Sequence, residues 1–115
     1  MSTKHFKDSE FHCKCGNCKT IKINSELKAV LELVRHRFDS PVVITSGYRC
    51  PAHNNLVGGA PQSKHVEGIA ADIRVKNVLP DTVYGFLDEI FPSQYGLGLY
   101  KGWVHVDVRS NKARW

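Results

Sequence analysis

At 115 residues the chain has room for one domain around one core, and too little length for a catalytic domain plus a separate targeting domain. Its 42% hydrophobic and 23% charged residues are the balance of an ordinary globular protein, and no run approaches the roughly 18 consecutive apolar residues that span a bilayer. The formal net charge is +5, from 16 Lys+Arg against 11 Asp+Glu, but the basic residues are scattered, with no block or aromatic-interleaved stripe to track a nucleic acid.

The first residues, MSTKHFKDSEFHCKCG, contain no apolar run of the secretory kind, so the chain is expected to be cytoplasmic as synthesised and to need another route to any external target. From Ser25 to Phe38 the residues Leu27, Val30, Leu31, Leu33, Val34 and Phe38 recur at helical spacing, with Asn24 or Ser25 available as a cap. PVVITS, Pro41 to Ser46, is a β-branched run that predicts a buried strand leading into the loop SGYRCPAHN. A short helix is expected around Pro51 to Leu56, because proline suits a first helical turn. Val57 to Ser63, rich in glycine with one proline, should be irregular.

Gly68 to Val75, GIAADIRV, is short and apolar enough for a central strand, which makes its mid-point Asp72 an anomaly. Leu79 to Phe91 predicts a second long helix, with Asp81 or Thr82 near its start and Val83, Phe86, Leu87 and Ile90 on one face. YGLGLY and GWVHVDVR close the chain as two strands around Lys101 and Gly102, a hairpin arrangement. The sum is an α+β fold, with helices packed on a small, mainly antiparallel sheet. Residues 1–115 are expected to form one domain, the cysteine-rich segment 1–20 packing on it.

In the last strand, alternation places Trp103, His105, Asp107 and Arg109 on one face and Val104, Val106 and Val108 on the other, the core side. A lone histidine near a strand end is more often a surface or hydrogen-bonding residue than a ligand. Asp72 argues otherwise: an unpaired carboxylate in mid-strand would cost several kcal/mol to bury, and a bound cation removes that cost. Two histidine nitrogens and one carboxylate oxygen, with a position left for water, form the ligand set of an open catalytic zinc site.

The set SGYRC, N…VGGA…S.H..G.A.DI and WVHVDVR resembles the M15 family of zinc peptidases, in its D-Ala-D-Ala carboxypeptidase-like branch. That branch shares a fold with murein endopeptidases, phage endolysins, vancomycin-resistance dipeptidases and the Hedgehog signalling domain. The resemblance runs from FKDSEFHCKCG to VHVDVR. It implies that His65, Asp72 and His105 hold Zn2+, that Arg49 reaches into the substrate cleft, and that Ser63 supports the site or touches substrate. The implied activity is hydrolysis of peptidoglycan stem peptides, by a D-Ala-D-Ala carboxypeptidase or an endolysin-type endopeptidase, acting on the cell wall after release. The expected partner is a peptidoglycan peptide, with no nucleic acid, no membrane insertion and a monomeric chain.

One departure stands out. Many relatives carry a general base as His two positions, or Glu or Asp three positions, before the last zinc histidine; here those positions are Trp103 and Gly102, which accept no proton. Three readings follow: Asp107 is the base or orients a ligand; the register is offset, with His105 as base and Asp107 as ligand; or the chain is a non-catalytic zinc-stabilised module that binds cell-wall peptide or a protein.

The four cysteines, Cys13, Cys15, Cys18 and Cys50, allow a structural zinc site with four thiolate ligands, a disulfide with two free thiols, or no bond. A link from the N-terminal group to Cys50 would anchor that segment beside Arg49.

Overall fold

The computed structural model describes residues 6–11, 13–14, 24–59 and 63–115. A single 3-10 turn at Asp8–Phe11 precedes helix α1, Ser25–Phe38. The Asn24 side chain accepts from the backbone N–H groups of Glu26 and Leu27 at 2.7 and 3.2 Å, which settles the cap in favour of Asn24. Helix α1 buries Leu27, Val30, Leu31 and Val34; Leu33, grouped with them by spacing, points away and is 47% exposed. Strand β1, Val42–Ser46, leads through the SGYRC loop into α2, Pro51–Leu56. Strand β2, Ala70–Val75, precedes α3, Pro80–Ile90, where Pro80 takes the first helical position and Asp81 adds a favourable negative charge to the first turn.

Strands β3, Gly96–Leu99, and β4, Val104–Asp107, form the expected antiparallel hairpin, with Leu99 opposite Val104. A fifth strand, β5, Ala113–Arg114, lies parallel to β3 and extends the sheet to the order β1-β2-β4-β3-β5. Two residues are too few to show periodicity, so β5 escapes sequence reading. The backbone of Trp115 bonds to Leu97 and Leu99, and the Arg114 guanidinium bonds the Asp88 carboxylate and the Phe91 carbonyl at the end of α3. Tyr95 donates to Glu26 of α1, joining that helix to the start of β3.

The sheet has two unlike faces because strand neighbours alternate. Ala71, Ile73, Leu97, Val104 and Val106 point to the core, where Leu27, Leu31, Val34, Val83 and Leu87 cover them from α1 and α3. The opposite face carries Asp72, His105 and Asp107. Register then fixes their company: Asp72 lies opposite both His105 and Ser46, Asp107 opposite Ala70 and Gly96, and His105 opposite Gly98.

Of segment 1–20, residues 6–11 and 13–14 are described; Phe6 and Phe11 are buried in the core and Cys13 is buried beside it. Cys15 and Cys18 lie outside the described residues. The Phe11 carbonyl accepts from the Tyr48 N–H at 2.9 Å. This contact brings the turn so close to Gly47 that an added Cβ there would sit 2.7 Å from Phe11 Cα and 2.9 Å from Phe11 O.

Gly47→Ala must therefore move backbone, and a loss of about 1–3 kcal/mol is expected in urea unfolding, the range for overpacking. Gly85 in α3 offers open space around an added Cβ. Gly85→Ala should stabilise by about 0.5–1 kcal/mol through helix propensity, so the two alanines are expected to move the unfolding midpoint in opposite directions.

Candidate metal centre

Three elements deliver three side chains to one point. The turn Ser63–Gly68 supplies His65, β2 supplies Asp72 and β4 supplies His105; all three are buried, and their ligand atoms lie within 4.8 Å of one another. His65 Nε2 is 3.3 Å and His105 Nδ1 3.1 Å from the same oxygen, Asp72 Oδ1.

The outer nitrogen of each ring fixes its tautomer. His65 Nδ1 is 2.7 Å from the Gly47 carbonyl, which can only accept, so Nδ1 carries the proton. His105 Nε2 is 2.8 Å from Asp107 Oδ2 and likewise donates. Each ring therefore turns its inner nitrogen to Asp72 Oδ1, and either a proton on an inner nitrogen or a bound cation satisfies the three groups where they meet. Burial works against a charged imidazole at His105, yet its bonds to Asp107 and Asp72 raise its pKa above the ordinary histidine value. Burial also opposes ionisation of Asp72, but hydrogen bonds from His105 and His65 outweigh it and hold the carboxyl well below the usual carboxylate range.

The spacing suits a metal ion as well as the charge does. A tetrahedral ion with ligand bonds of about 2.05 Å keeps its donors about 3.3 Å apart, close to the separations between these imidazoles and the Asp72 oxygen. The donor set and its outer partners, a backbone carbonyl for one histidine and a carboxylate for the other, could hold a metal ion, with the rings oriented by a second layer of hydrogen bonds.

Arg49 holds the other oxygen of Asp72: its Nη2 is 3.6 Å from Oδ2, while Nη1 donates to Asn54 at 3.1 Å and Nε to Ser46 at 3.3 Å. Ser63 accepts the His65 backbone N–H at 3.2 Å, bracing the turn. Asp107 lies on the same strand face as His105 but beyond it. It is fully buried, bonded through both oxygens to Arg109 at 2.7 Å, and outside the His65–Asp72–His105 group. Burial disfavours its charge, and the bonds from His105 and Arg109 overcome that and depress its pKa. Gly96 makes room for the pair, since an added Cβ would meet the Asp107 carboxylate oxygens at 2.4 and 2.5 Å.

A cleft of about 770 Å³ opens over the group, lined by Arg49, Ser63, Lys64, His65, Asp72 and His105, and by an aromatic wall. In that wall Tyr100 stacks on Trp103 at 4.7 Å, and Trp115 donates from Nε1 to the Tyr100 hydroxyl. The Trp115 ring lies 5.0 Å from the His105 ring and 5.2 Å from the Arg109 guanidinium carbon, and it fills the space over Gly98. Asn54, Arg109 and Trp115 escaped the sequence reading as site residues. Alternation had placed Arg109 on the right face, but nothing in the sequence pairs it with Asp107 or folds Trp115 back over the cleft.

The α+β sheet and the His-Asp-His group define a candidate metal-dependent enzyme of the kind suggested by the S.H..G.A.D motif. The family model described as Peptidase M15 matches residues 4–107, and the chain belongs to that family, whose members are metal-dependent. Comparison with curated proteins returned no match. Among the described residues no helix is long and apolar enough to cross a membrane.

Asp107→Asn separates the two roles open to this residue. If it orients His105, the variant should bind metal about 10–100-fold more weakly in competition with a chelator, as for other outer-layer partners of metal-bound histidines. A base acting on substrate would leave metal affinity unchanged and lower turnover alone.

Proposed function

We propose that the chain is a zinc peptidase that hydrolyses peptide bonds in the stem peptides of bacterial peptidoglycan, with His65, Asp72 and His105 as the zinc ligands. The observation that carries this reading is the convergence of two tautomer-fixed imidazoles on one buried carboxylate oxygen beneath an open cleft, in a chain of the M15 family. Zinc held there supplies Lewis acidity, which makes water a nucleophile near neutral pH and polarises an amide carbonyl.

The chain's own residues prepare the rest. Gly47 and Asp107 keep the outer ring protons in place, so that both inner nitrogens present lone pairs to the metal. Arg49 steadies Asp72 through Oδ2. Its 3.6 Å contact there is its longest, so the guanidinium can shift toward the carbonyl or carboxylate of a bound stem peptide without losing Asn54 or Ser46. Lys64 is engaged with Glu67 at 3.0 Å and Arg109 with Asp107, leaving Arg49 as the cation best placed for substrate among the described cleft residues. Ser63 supports the His65 turn. Asp107 is assigned as the residue that orients His105, not as the proton acceptor, because both its oxygens are occupied and it has no exposed surface.

One observation favours a second reading. Among the described residues lining the cleft, Asp72 is the only carboxylate, and it belongs to the ligand group. A metal-stabilised module that binds wall peptide without cutting it fits that composition.

Release of soluble muropeptides from purified peptidoglycan decides between them. The peptidase reading expects release with zinc, loss on chelation, restoration on zinc readdition, and at least a roughly 100-fold fall for His65→Ala, the scale of losing a metal ligand. Zinc-dependent binding to the same walls with no release from any of several wall chemistries would establish the binding module. Arg49→Lys keeps a charge but loses the fork that reaches Ser46 and Asn54 together; turnover is expected to fall about 10–100-fold, a loss of about 1.4–2.7 kcal/mol in transition-state stabilisation.

A further inference from the structure

Away from the His-Asp-His group, two thiols meet across 37 positions of sequence. Cys13 Sγ lies 3.6 Å from Cys50 Sγ, and the Cys50 backbone N–H donates to Cys13 Sγ at 3.3 Å. Cys13 is buried. Cys50 occupies the N-cap of α2, yet its side chain makes no capping bond and turns to Cys13 instead. Two backbone contacts set this meeting: Tyr48 N–H to the Phe11 carbonyl, and the close approach of Phe11 to Gly47.

The sulfur separation is a contact distance for two free thiols, Cys13 Sγ donating to Cys50 Sγ, and it bears on what else the pair can hold. A disulfide needs about 2.05 Å between sulfurs, roughly 1.6 Å less than is seen. Two thiolates sharing a tetrahedral zinc ion, with metal–sulfur bonds of about 2.3 Å, stand roughly 3.8 Å apart. The pair at 3.6 Å therefore needs a shift of only about 0.2 Å to share such an ion. The Cys50 amide N–H directed at Cys13 Sγ adds an independent observation, because it orients that sulfur as outer-layer hydrogen bonds orient metal ligands.

We propose that Cys13 and Cys50 supply two ligands of a second metal site for a thiophilic dication such as zinc, with water completing the coordination. Binding replaces the two thiol protons with the metal and involves no redox step. The site ties the N-terminal segment to the loop whose preceding residue is Arg49, so it braces the cleft from outside. Cys15 and Cys18 stand two and five positions from Cys13 in the sequence, outside the described residues, and nothing in the geometry of the pair depends on them.

The test uses the full chain, prepared metal-free under reducing conditions and titrated with cobalt(II), then zinc. Two equivalents of metal are expected, one of them giving thiolate-to-cobalt charge-transfer absorption. That absorption should persist in a His65→Ala/Asp72→Ala chain, which keeps one equivalent. Cys13→Ser and Cys50→Ser should each weaken metal binding at the thiolate site at least about 10-fold in competition with a chelator. Should a serine variant fail to fold, Cys50→His, which can still ligate, is expected to retain the metal with a weaker thiolate band. Absence of thiolate absorption from the native chain, or a band and affinity unchanged in both serine variants and in Cys50→His, would overturn the proposal. Neither readout involves peptide hydrolysis, so a failed peptidase assay leaves this result intact.

Discussion

A carboxylate in the middle of a central strand is the constraint around which the rest of this molecule is arranged. Asp72 sits in β2 between β1 and β4, with 9% of its surface exposed. An ionised carboxylate there is several kcal/mol unfavourable unless charge and hydrogen bonds replace water. Three side chains answer this requirement. Arg49 takes one oxygen, while His65 and His105 converge on the other. Their outer protons are committed elsewhere, so the point they share with Asp72 is satisfied by a proton on an inner nitrogen or by a cation in its place.

The support for that arrangement reaches both ends of the described chain. His65 depends on the Gly47 carbonyl, and Gly47 lies where Phe11 leaves no space for a side chain. His105 depends on Asp107, Asp107 on Arg109, and Arg109 packs under Trp115, which β5 carries back over the sheet. Gly96 and Gly98 in β3 provide the room for Asp107 and Trp115 respectively. Donors that are to share one metal tolerate little displacement, so the small N-terminal turn and a two-residue strand matter to this group out of proportion to their length.

Much of this was legible in the sequence where a local rule governs it. The helix Ser25–Phe38 follows from its apolar spacing, the β3–β4 hairpin from two apolar runs around Lys101 and Gly102, and the sidedness of β4 from simple alternation. Asp72 announced the site because a charged residue in an apolar strand needs a reason. What escaped is non-local. Alternation put Asp107 on the face of His105 but could not show that it stands behind the ring, locked to Arg109, with no surface toward the cleft. The aromatic wall depends on Trp115 folding across from the edge strand, a contact that no spacing in the sequence encodes. Leu33 shows the complementary error: apolar character suggested the core, while its angular position on α1 puts it outside.

The central claim is that His65 and His105 offer opposite ring nitrogens to one metal, Nε2 from the first and Nδ1 from the second. Long-range proton–nitrogen correlation spectra of the histidine side chains, recorded as zinc is added to the metal-free chain near neutral pH, test it directly. The account predicts that zinc shifts His65 Nε2 and His105 Nδ1 into the range of metal-bound nitrogens, while His65 Nδ1 and His105 Nε2 keep their protons. Ligation through His65 Nδ1 or His105 Nε2, or no change at either ring on saturation with zinc, would contradict it.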